Sequence, residues 1–161
     1  MSIQASFGIS VLMSFVAFGL VTKFYIWPRL RMLERTDALL SLVVPHSFRF
    51  IGLSFLVPGV VSLSLPPAFA VPAAYGDLIA GVLAVAVSIA LSRRASLATL
   101  LVWLFNVWGA GDLLFAFYNA LFVVHLDARM LGAAFFIPTL VVPPLLVTHG
   151  LIFWLVVRGK H

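Results

Sequence analysis

At 161 residues, 63% hydrophobic and 9% charged, the chain carries far less charge than the roughly 25% typical of soluble domains, and a soluble fold is excluded. A formal charge of +5 would suit nucleic acid on a soluble surface, but here the basic residues cluster at the ends of apolar stretches. That pattern reports membrane topology and argues against a nucleic-acid partner. The count of Cys 0 removes disulfides, thiolate metal sites, iron–sulfur clusters and cysteine nucleophiles together.

A bilayer crossing needs about 20 apolar residues, and five such stretches use most of the chain. The expected fold is one all-α integral membrane domain, a bundle of five transmembrane helices. The first runs over about residues 5–27. Its apolar run from Ser2 to Val21 has no basic residue before it, and Lys23 follows it, so it reads as a retained helix and not as a cleaved leader. Phe24, Tyr25 and Trp27 form an interfacial belt, Pro28 closes the helix, and Arg29 to Asp37 is a polar connection.

The second helix spans about 38–65, and its start hinges on Pro45. With Pro45 in the first turn, the membrane segment begins near His46 and Arg49 snorkels to the headgroups. With the start at Ala38, His46 and Arg49 lie inside the membrane. Pro58 is expected to kink this helix in either case. Pro66, Pro67 and Pro72 make the stretch from Pro66 to Gly76 a loop, so the third helix spans about 77–92, with Asp77 either its N-cap or a carboxylate at the outer mouth of a cavity.

Arg93 and Arg94 end the third helix; the fourth spans about 96–123 and the fifth 131–157. Within the fifth, Pro138, Pro143 and Pro144 withhold backbone donors at depth, which marks tight packing or a cavity wall. Small-residue stripes on the third helix (Asp77, Gly81, Ala84, Ser88, Ser92) and the first (Ser6, Ser10, Ser14, Ala17) suit close helix packing or dimerisation.

Lys23, Arg29, Arg31, Arg35, Arg93, Arg94, Arg158 and Lys160 fall on one side of such a bundle, and of the loop residues only Arg129 falls on the other. The basic side is cytoplasmic by the positive-inside rule. An odd number of helices then leaves the N-terminus outside and the C-terminus in the cytoplasm, with a bacterial plasma (inner) membrane as the expected location.

Ionisable groups at membrane depth cost about 2.5–3.5 kcal/mol on insertion scales and mark functional sites. Asp112 is the clearest, since no other formal charge lies between Arg94 and Asp127. Helical spacing sets Phe105, Trp108, Asp112, Phe115 and Asn119 on one stripe. Asp112 is therefore a ligand-contacting or proton-accepting carboxylate, or a structural one paired with Arg49. Arg49 lies 14 residues past Arg35 and Asp112 18 past Arg94, which sets them within about 6 Å along a continuous bundle at 1.5 Å per residue. Such a pair is a candidate anion site if the carboxylate is displaced.

His46 and His149 lie at comparable depth on different helices, the arrangement that bis-imidazole haem b ligation needs. The plainer alternative is hydrogen bonding to nearby Ser or Thr, and a proton relay is a third. In size, helix number and tryptophan content of the fourth helix the chain resembles the tryptophan-rich sensory proteins, which bind tetrapyrroles and lipids, but no signature stretch of that family aligns here.

The expectation for function is a small membrane protein that binds, and possibly transports, a small or amphipathic ligand. Its cavity would lie between helices 2, 4 and 5, lined by Asp112, Arg49, Trp108, Asn106, His46 and His149. The alternatives are a bis-histidine haem b electron carrier and an accessory subunit of a larger complex or homo-oligomer. No nucleophile–base pair points to an enzyme.

Overall fold

In the computed structural model, which describes residues 1–158, the apolar stretches form five helices long and apolar enough to cross a membrane: α1 (Ile3–Leu30), α2 (Arg35–Leu56), α3 (Pro67–Ser92), α4 (Ala98–Val123) and α5 (Ile137–Val157). A short 3-10 segment, Ala128–Phe135, precedes α5. Among the described residues there is no strand.

Packing is led by small residues. Ala73, Ala74, Gly76, Ala80, Gly81 and Ala84 form half of the buried face of α3, so α2 lies close along it, as small-residue faces permit where lipid offers no hydrophobic contrast. Next to α3 comes α4, and next to α4 comes α5; α5 also touches α1 and the first part of α2. The outermost helix is α1. Over Ile3–Val21 it buries only Ser14 and leaves Leu12, Met13 and Leu20 exposed.

The two ends differ in chemistry. Arg35 donates from Nε and Nη2 to the carbonyls of Leu155 and Val156 at 3.1 and 3.0 Å, and Arg94 pairs with Glu34 at 3.0 Å. These contacts gather the α1–α2 connection, the α3–α4 connection and the tail of α5 at one end, with Lys23, Arg29, Arg31, Arg35, Arg93, Arg94 and Arg158. Lys160 lies outside the described residues. At the opposite end Gln4 donates to the Leu126 carbonyl at 3.1 Å and accepts from the Ala128 N–H at 3.0 Å.

Three proline positions depart from expectation. Pro45 neither starts α2 nor breaks it: the helix is α from Arg35 to Val43 and 3-10 from Val44 to Leu56. The tightening begins where Pro45 has no N–H for the Ser41 carbonyl. Pro58 does not kink α2, which ends at Leu56. It sits in a tight turn closed by the Val60 N–H to the Val57 carbonyl at 3.1 Å, with Gly59 at φ 87°, the positive value a type II turn requires at its third residue.

The stretch expected to be a loop is helical from Pro67 to Gly76, so α3 begins ten residues before Asp77. Pro66 is the N-cap and Pro67 the first helical residue, where a missing donor does no harm. Pro72 withholds the donor that the Ala68 carbonyl would otherwise receive, and Asn119 Nδ2 of α4 replaces it at 2.8 Å. A fourth interruption, around Pro138, is taken up by a π-helical turn over Ile137–Val141, the wide geometry that relieves crowding against the preceding turn.

Candidate functional site

Two hydrophobic clusters fill the bundle. One, toward the basic end, includes Leu42, Val43, Val87, Val102 and Ile152; the other includes Phe55, Phe69, Leu113, Leu131 and Leu145. The six residues His46, Arg49, Asp77, Asn106, Asp112 and His149 form a polar layer between them.

The local fold of α2 sets this layer. A 3-10 helix has three residues per turn, so residues three apart eclipse. The buried residues of Val44–Leu56 are accordingly His46, Arg49, Gly52 and Phe55. Runs of 3-10 helix beyond three or four residues are uncommon; this one, of 13 residues, holds a single straight row against α3, α4 and α5.

Arg49 is the centre, 1% exposed. Its Nε donates to Asp77 Oδ1 at 2.7 Å, its Nη2 to Asp112 Oδ2 at 2.6 Å, and its Nη1 to the Gly109 carbonyl at 3.0 Å. One guanidinium thus ties three helices together, with the fork geometry only arginine offers. Glycines make the space. A Cβ on Gly76 would run into the Asp112 carboxylate, one on Gly52 into that of Asp77, and one on Gly109 would lie 2.8 Å from Arg49 Nη1.

The histidines complete the layer. Asn106 Nδ2 donates to the His149 carbonyl at 3.2 Å, which turns its Oδ1 to His149 Nδ1 at 2.6 Å. That ring nitrogen is then the donor, and Nε2 presents a lone pair to Arg49 Nη1 at 3.5 Å. Thr148 Oγ1 gives its proton to the carbonyl of Pro144 or Leu145 and so accepts from His46 Nε2 at 2.9 Å. His46 Nδ1 is buried without a protein partner.

Several expectations change on this geometry. Arg49 and Asp112 do pair across α2 and α4, but Asp77 joins them from mid-helix and is no N-cap. Arg49 is engaged at all three nitrogens and shielded from the surface, which leaves no free face for an anion. His46 and His149 do not fit a haem: their ring centroids are 4.3 Å apart, Phe105 packs against both, and no macrocycle fits between touching rings. Among the described residues no cluster of three or more His, Asp or Glu is arranged to hold a metal ion.

Trp108 and Phe115 leave the expected stripe, being 44% and 51% exposed; Trp108 Nε1 donates to the Gly76 carbonyl at 3.3 Å. The buried face of α4 is instead Val102, Phe105, Asn106, Gly109 and Leu113. Asp112 sits at its edge.

The carboxylates reach an opening. Asp77 and Asp112 stand at the inner end of a narrow cavity of about 40 Å³ whose remaining wall is apolar, with Phe55, Phe69, Leu113 and Phe117. By volume it admits a small group or a few waters. It shares Phe7, Phe117, Ala120, Leu126 and Leu131 with a wider groove of about 370 Å³ between α1 and α4.

These features define a class: an all-helical protein with five membrane-length helices and a buried arginine held between two carboxylates. The chain belongs to the family described as domain of unknown function DUF8737, whose model matches residues 6–157. No curated protein and no solved structure matches it.

Proposed function

We propose that the protein binds a small amphipathic ligand from within the membrane, with an amine or other proton-donating end against Asp112 and Asp77 and an apolar body in the groove between α1 and α4. The supporting observation is the charge balance at the inner end of the cavity. Two carboxyl groups face one guanidinium, and both histidines bond as neutral rings, so with both carboxyls ionised the layer would carry one negative charge in excess. In a low-dielectric site such an excess favours a proton or a ligand cation.

Asp77 and Asp112 of the polar layer wall one end of the cavity, which supports binding over transport; passage across the bilayer would require that layer to open. In this proposal the end bearing Lys23, Arg93 and Arg94 faces the cytoplasm of a bacterial plasma membrane, and the N-terminus is outside.

Native mass spectrometry of the protein released from detergent, with dodecylamine and dodecanoate as probes of equal chain length, tests the ligand assignment. The amine is expected to be retained and dodecanoate not. A charge-assisted hydrogen bond contributes about 1.5–3 kcal/mol, so Asp112→Asn is expected to weaken amine retention by about tenfold or more. Ala116→Trp, which fills the cavity, is expected to abolish it. Equal retention of both probes, or an amine indifferent to both substitutions, would overturn the proposal.

A further inference from the structure

At the basic end lies a second concavity, independent of the carboxylate site. The last turns of α1 supply Trp27 and Leu30, the connection Arg31 and Leu33, α2 Arg35, α5 Trp154 and its C-cap Arg158, around a volume of about 240 Å³. Among the described residues three arginines line it and no carboxylate does. The nearest acid in sequence, Glu34, is turned away to Arg94 at 3.0 Å, and Asp37, exposed on the first turn of α2, is not among the lining residues.

The arginines are placed differently. Arg35 spends Nε and Nη2 on the α5 carbonyls, which fixes its charge in the wall. Arg158 lies over the Trp154 ring at 5.1 Å, and Trp154 meets Trp27 edge to face with centroids 4.7 Å apart. Arg31 is exposed at the mouth. Paired tryptophans at the end of membrane-length helices sit at headgroup level, and basic pockets between such helices on one face bind lipid phosphates.

We infer that this pocket binds the phosphate of an anionic phospholipid, with Arg31 and Arg158 closing on the headgroup, Arg35 behind it, and the acyl chains descending past Trp27 and Leu30. The apolar wall favours lipid over free phosphate, which has no use for tryptophan or leucine surface.

Arg35 is left intact in the test because it holds α5. The protein in detergent is offered phosphatidylglycerol or phosphatidylcholine of matched chains, and retained lipid is read by native mass spectrometry. Phosphatidylglycerol is expected to be retained in preference. One basic side chain at an anionic membrane surface is worth about fivefold in affinity, so Arg31→Gln/Arg158→Gln is expected to lower retention by about 25-fold.

Arg29→Gln/Arg93→Gln removes the same charge outside the pocket and is expected to cost less than about fivefold. A size-exclusion profile unchanged in both pairs shows that folding is not the cause, since all four side chains are exposed. Equal losses from the two pairs would overturn the pocket. Displacement of the lipid by millimolar inorganic phosphate would overturn the lipid assignment.

Discussion

Replacing Arg49 by Met is the sharpest test of the buried charge layer. The guanidinium is 1% exposed and bonds Asp77 and Asp112 at 2.7 and 2.6 Å, so its loss leaves two carboxylates side by side with no cation. Removing one partner of a buried ion pair costs about 3–5 kcal/mol, because the remaining charge is uncompensated. A chain of 161 residues loses about 2–4 °C of melting temperature per kcal/mol, so Arg49→Met is expected to melt about 6–20 °C lower in detergent.

The same reasoning predicts a rescue. Arg49→Met/Asp77→Asn/Asp112→Asn removes all three charges, and replacing a whole buried ion network by neutral groups is often close to neutral. Its melting temperature is expected to recover at least half of the loss, read by differential scanning fluorimetry or by circular dichroism. A triple variant no more stable than Arg49→Met alone would refute the view that uncompensated charge, and not lost packing of the arginine stem, governs the cost.

Two further outcomes follow from single contacts and one from the charge bias between the two ends. Gly109→Ala brings a methyl to 2.6 Å from His149 Cε1 and is expected to destabilise by about 1–3 kcal/mol, whereas Gly111→Ala, with open space around it, is expected to be neutral or stabilising in the same melting assay. Asn119→Leu strips the Ala68 carbonyl of its donor and is expected to cost about 1–3 kcal/mol; Pro72→Ala in that background restores a backbone N–H and is expected to recover most of it, and a double-mutant cycle without coupling would contradict the assigned role. A cysteine at Ser96 is expected to resist an impermeant thiol reagent applied to whole cells and to react after permeabilisation; labelling from outside would reverse the proposed orientation.

What was legible in the sequence were the features that depend on composition and on depth. Five apolar stretches gave the five helices, since the length of a bilayer crossing leaves little choice. Arg49 and Asp112 were recognisable as partners because each is an unexplained charge at matched depth. The errors arose where a local rule met a tertiary contact. Pro66, Pro67 and Pro72 look like a loop in isolation, yet two of the three stand where a missing donor does no harm, and Asn119, far along the chain, repairs the third. No local pattern announces that repair. Starting α3 too late then hid the central role of Asp77, which follows once ten more residues before it are helical.

The row on α2 shows how the period itself misleads. At 3.6 residues per turn His46, Arg49, Gly52 and Phe55 drift around a helix, and neither of the two starts weighed for it makes them a single face. At three per turn they align, and the spacing of three in the sequence is the one local sign of it. The same error of angle governs α4, where a stripe drawn through Trp108 and Phe115 follows helical spacing faithfully but is centred on the edge of the buried face. Asp112 lies on that edge, near enough to Arg49 to pair and near enough to the cavity to meet a ligand. Its position between the two environments, and not its burial alone, makes it the residue on which the proposed binding turns.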